Sequence, residues 1–221
     1  MKIPFTSDEF LAVFELYNEG VWPSQLVLYV LAVIALLAIY RNDKRGRQVL
    51  FAVLSLLWAW MGLVYHITYF SLINKAAYGF GVLFVIQGIV FAYVGIIRDK
   101  FRFDIRIDIY TIIGTAFVVY ALIAYPLIGI VLGHMYPGSP TFGVPCPTTI
   151  FTFGVLLFSA HRVSFFVLFI PFLWSIVGFS AAFHLHIFED IGLIISGLVS
   201  TVILTAFRKR NTDVDRPSLV R

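Results

Sequence analysis

The chain has 221 residues, 60% of them hydrophobic and 13% charged, and its mean hydropathy is +0.93. That apolar share exceeds what soluble domains carry, so composition predicts a polytopic membrane protein. The net charge of +4 is not a nucleic-acid footprint, because the cations lie in short blocks between apolar runs. Cys146 is the single cysteine, which excludes an internal disulfide, and without CxxC or Cys/His finger spacing a structural zinc module is excluded too.

Residues 1–25 lack the basic region and short apolar core of a signal peptide, so the first membrane segment is expected to be retained. Thr6-Ser7-Asp8-Glu9 is a capping-box pattern, and Gly20 with Trp22-Pro23 marks the helix end. Between them Phe10, Val13, Phe14 and Tyr17 form one apolar stripe. The segment reads as an amphipathic interfacial helix outside the membrane, or as a lead-in whose stripe packs on the bundle.

Seven apolar runs follow, at about 26–40, 48–70, 77–97, 109–133, 147–160, 163–183 and 187–207. Most approach the ~20 residues that cross hydrocarbon. Placing Arg41, Lys44, Arg45 and Arg47 inside also places the four cations of residues 98–106, Arg162 and the five of the tail inside. Fourteen of sixteen Lys and Arg are then cytoplasmic, leaving Lys2 and Lys75 outside. The expected architecture is an all-α membrane protein of seven transmembrane helices, amino terminus outside and carboxyl terminus inside. Residues 1–25 form the extracytoplasmic helix, 26–207 the transmembrane domain and 208–221 a cytoplasmic tail.

Residues 134–149, HMYPGSPTFGVPCPTT, fit neither helix nor strand along most of their length. The apolar run after them is short, at roughly fourteen residues or ~21 Å against ~30 Å of hydrocarbon. The stretch is therefore expected to dip into the bundle, with Pro147 at the first helical position.

Sorting polar residues by predicted side brings His66, His134, His184, His186, Glu189, Asp190 and Cys146 to the outer ends of the helices. Imidazole, carboxylate and thiolate are transition-metal ligands, zinc among them. His186 with Asp190 at i+4, or Glu189 at i+3, would share a helix face. Interfacial anchoring is the competing role for the histidines, and a small buried hydrophobe is the competing role for Cys146. Tyr65, Asn74, Thr148, Thr149, Trp22 and Gln87 are the candidate contacts for a small-molecule ligand. Gln87 is also suited to holding helices together, while Pro126 and Pro171 each free a helix carbonyl. Hydrocarbon segments so poor in Asp, Glu and Lys argue against an ion-coupled pump.

The seventh run has no lysine for a Schiff base, so a retinal protein is excluded. The chain resembles seven-span ceramidase-like hydrolases in the histidines near its second and seventh helix ends. It departs from their Ser-x-x-x-His and His-x-x-x-His motifs, with Gly62 before His66 and with His184-x-His186. Trp58-Ala-Trp60-x-Gly62-x-x-Tyr65-His66, Ile73-Asn74-x-Ala76, and Pro137-Gly138-Ser139-Pro140 through Pro145-Cys146-Pro147-Thr148-Thr149 are similar to a bacterial family of multi-pass membrane proteins known only as a domain of unknown function. That resemblance covers nearly the whole chain and implies a bacterial cytoplasmic membrane, with no chemistry attached.

The function expected from these features is an outward-facing small-ligand or soft-metal site serving transport or sensing. The alternatives are a membrane-embedded metal-dependent hydrolase and a structural, partner-binding subunit without a site. The lipid bilayer is the expected partner, nucleic acid is not, and self-association is left open.

Overall fold

The computed structural model describes residues 4–41 and 43–207; the tail expected at 208–221 lies outside the described residues. Among the described residues the regular structure is helical, with two isolated β-bridges in the connecting segments. We number its helices α1 Ser7–Val21, α2 Ser24–Arg41, α3 Lys44–Leu72, α4 Ala77–Ile97, α5 Ile109–Val131, α6 Pro145–Leu156, α7 Phe165–Leu185 and α8 Phe188–Phe207. Six of them, α2 to α5, α7 and α8, are long and apolar enough to cross a membrane. α6 has only 12 residues.

Helix ends follow local chemistry. Thr6 caps α1 through the capping box read from sequence: Glu9 N–H donates to Thr6 Oγ1, and Thr6 N–H donates to Glu9 Oε2. Asp43 and Asp108 cap α3 and α5 in the same way, each carboxylate accepting from the N–H three residues on. α6 starts at Pro145 and not at Pro147 as expected. Prolines at its first and third positions cost no hydrogen bond, because the first N–H groups of a helix have no intrahelical acceptor.

Every residue of α6 is buried, and the bundle is built around it. It packs on residues 109–124 of α5, on α7 and on α8. The α5 crossing is close because Gly114 and Gly154 face each other. A Cβ on either would lie 2.8 Å from the other's carbonyl oxygen. Small residues at such a contact let backbones approach and gain dispersion where lipid offers no hydrophobic drive. Trp58 of α3 donates from Nε1 to Thr152 Oγ1 at 3.0 Å, and Thr152 in turn donates to the Thr148 carbonyl.

Gln87 holds helices together as expected, and the reason lies in Pro171. Lacking an N–H, Pro171 leaves the Val167 carbonyl of α7 without its helical donor. Gln87 Nε2 of α4 supplies one at 3.0 Å.

The two ends of the bundle differ in chemistry. At one end Arg47 donates to both carboxylate oxygens of Asp99, at 2.7 and 2.8 Å. That contact holds Asp99 below the usual carboxylate range. Asp104 N–H donates to the Phe158 carbonyl, Ala160 N–H to the Arg102 carbonyl, and Arg162 to the Ala206 carbonyl. The basic loops and the carboxyl end of α6 thus meet at this basic end. At the other end α1 lies across α3 and α7, its stripe of Phe10, Val13, Phe14 and Tyr17 buried against Tyr65, Phe70, Ala182 and Leu185. Packing on the bundle accounts for the stripe, the second of the two readings of the amphipathic segment.

Candidate functional site

Between α1 and the bundle lies a cavity of about 260 Å³. Phe5, Phe10 and Phe14 roof it, and Tyr65, Phe70 and Phe80 wall it. Asn74 and Ala76 of the α3–α4 turn and Val177, Ser180 and His184 of α7 close its sides. Its floor is Pro145 and Cys146 at the start of α6, Trp174 of α7, and Asp190.

The aromatic walls follow from sequence spacing. Phe5 and Phe10 both meet the Phe70 ring edge-on, and Phe14 stacks on Tyr65. Residues 61–69 of α3 wind as a wide π-helix, which carries Tyr65 and His66 toward the core. Such widened turns occur often at functional sites.

The floor residues are buried, and one of them is a carboxyl group. Asp190 is 2% exposed, and its Oδ1 accepts from Tyr125 Oη of α5 at 2.5 Å. The Cys146 thiol interacts with the Asp190 carboxyl and with Trp174. Among the described residues, no hydrogen-bond acceptor meets Trp174 Nε1. Asp190 also sits at the N-cap position of residues 191–202, where the helix dipole favours a carboxylate.

Of the thirteen candidate residues read from sequence, Tyr65, Asn74, Cys146, His184 and Asp190 line this cavity. The other eight are placed elsewhere. His66 is fully buried in a box of Tyr65, Phe70, Phe80, Phe84 and Trp174 rings, and neither ring nitrogen has a hydrogen-bond partner among the described residues. His134 Nδ1 lies 2.8 Å from Glu189 Oε1, behind the floor, and the Tyr120 hydroxyl donates to the Glu189 carbonyl. Thr148 accepts from the Gly143 N–H, Thr149 is buried in α6, and Gln87 spans α4 and α7. Trp22 is 59% exposed beyond the end of α1.

The shared helix face expected for His186 with Asp190 or Glu189 does not form. α7 ends at Leu185, and His186 caps it in the left-handed conformation, φ 62°. The chain breaks there, which separates an exposed His186 from the buried Glu189 and Asp190. Among the described residues, no group of three or more His, Cys, Asp or Glu is placed to hold a metal ion. The expected histidine–cysteine metal cluster therefore has no support in this arrangement.

Sequence reasoning missed Asn18, which fastens the proline-rich loop. Its Nδ2 donates to the Pro137 and Ser139 carbonyls at 2.6 and 2.7 Å, while its Oδ1 accepts from Thr141 Oγ1 at 2.8 Å. An asparagine on the edge of an apolar stripe was the available signal. The loop is closed by Gly143, whose φ of +105° and contact with Leu28 suit only a residue without a side chain.

Fold and site together define a helical bundle with a short buried central helix and an aromatic chamber at one end. The chain belongs to a family of unknown function, DUF6064, whose profile matches residues 7–216. No curated protein and no solved structure matches it.

Proposed function

We propose that this is a bacterial cytoplasmic-membrane protein whose aromatic chamber opens outward and binds a small, largely apolar ligand for transport or sensing. The observation that carries the reading is the cavity of about 260 Å³, walled by rings and with Cys146 and Asp190 on its floor. Chambers of that make-up are the usual form of a small-molecule site.

Charge supports the orientation. The basic loops meet at the end opposite the chamber, so a positive-inside arrangement turns the chamber outward and leaves the amino terminus outside. α6 enters from the chamber end and leaves at the basic end, which supports counting it as a seventh crossing shortened by its inward-dipping loop. α1 would then lie at the outer interface, roofing the site.

The test uses Cys146 as a reporter, since it is the only cysteine in the chain and lines the cavity. Ethylbenzene is expected to slow maleimide modification of Cys146 in the purified protein, saturably and at least threefold. In Val177→Phe, which narrows the chamber wall, that protection should disappear. Unsaturable slowing, or equal slowing in both proteins, would remove the ligand-site reading.

A further inference from the structure

We propose that the ligand is a lipophilic amine, its ammonium held at Asp190 and its apolar body held among the chamber's rings. This rests on the chamber being a ligand site and adds the chemical class of the ligand. Asp190 is a carboxyl group 2% exposed that reaches the cavity. Among the described residues, no lysine or arginine forms an ion pair with it. The Tyr125 hydroxyl donates to one of its oxygens and the Cys146 thiol also meets it, which still leaves acceptor capacity on a carboxylate of about four lone-pair sites.

An ionised carboxyl in apolar surroundings is costly unless a cation or several donors accompany it. The imidazole behind the floor, His134, is engaged by Glu189, and His184 at the rim is exposed with its Nδ1 against the Ser180 carbonyl. The missing positive charge is therefore best supplied from within the chamber. Trp174 and Tyr65 line the same cavity as Asp190, and aromatic rings around a carboxylate favour an ammonium, the more so where water is excluded. An anionic ligand would instead meet the buried Asp190 carboxyl in the cavity, with Glu189 also buried behind the floor.

Three probes with one phenyl body separate the cases: 2-phenylethylamine, neutral ethylbenzene and anionic 3-phenylpropanoate. Each is scored by protection of Cys146 from maleimide. The amine is expected to protect at a free concentration at least tenfold lower than either of the others. In Asp190→Asn, which keeps an acceptor for Tyr125, the amine should fall to the level of ethylbenzene while ethylbenzene is unchanged. An amine no better than ethylbenzene in the native protein overturns the assignment, as does a preference that survives Asp190→Asn. Ethylbenzene protection without amine preference would leave the chamber a ligand site and remove only the amine. Protection by none of the three would remove both. Should the Asn variant fail to fold, the comparison in the native protein decides alone.

Discussion

Gly154→Val should destabilise the protein by about 3 kcal/mol or more, the upper part of the range for overpacked cores. A Cβ at Gly154 would stand 2.8 Å from the Gly114 carbonyl oxygen, 2.9 Å from Val118 Cγ2 and 3.0 Å from the Val118 backbone nitrogen. Two of those atoms belong to the α5 backbone, which cannot rotate away as a side chain can, so α5 and α6 must separate. Separation exposes the one helix that is buried on all sides, and the loss spreads to α7 and α8. The reciprocal change, Gly114→Ala, meets the Gly154 carbonyl at 2.8 Å but otherwise only side chains at 3.1 Å or more. It should cost less. Unfolding midpoints of both variants in mild detergent give the check, and near-native stability in Gly154→Val would show that the helices are not in contact there.

Asn18→Ala should cost about 3 kcal/mol, since each buried polar group left unsatisfied costs about 1–3 kcal/mol and three would lose their partner. Those groups are the Pro137 and Ser139 carbonyls and the Thr141 hydroxyl. Water reaching the loop would recover part of the loss, which keeps the total below a simple sum. The backbone Asn18 carbonyl still accepts from Gln25 Nε2, so α1 and α2 stay joined. The effect is therefore local: residues 134–144 should become sensitive to protease before the bundle melts. A variant with an unaltered cleavage pattern would argue that Asn18 does not anchor the loop.

The helical elements were legible because apolar length and capping chemistry are local properties. The seven apolar runs begin and end within a few residues of α2 to α8, and the brevity of the fifth announced the buried α6. Rotational phase was not legible. α4 and α7 are apolar on every side, so nothing in their sequence says which face meets a neighbour, and Gln87 could not be matched to the carbonyl that Pro171 frees. The site suffered from the same gap. Grouping histidines by helix end put His66, His134, His184 and His186 in one neighbourhood, whereas phase and the left-handed break at His186 send them to four environments. Cys146 and Asp190 stand out in the sequence as ligand types, but Tyr125, the partner of Asp190, does not, because a tyrosine in an apolar helix looks like an interfacial anchor until its hydroxyl finds a carboxylate.

The central claim is that the chamber above Cys146 opens to the outer side of the membrane, and the side from which that one thiol reacts tests it most directly. A membrane-impermeant, trimethylammonium-bearing methanethiosulfonate is applied to right-side-out and to inverted vesicles, with Cys146→Ser as the blank. Modification should occur in right-side-out vesicles and be at least tenfold slower in inverted ones. Modification only in inverted vesicles, or none in either, would contradict an outward chamber reaching Cys146.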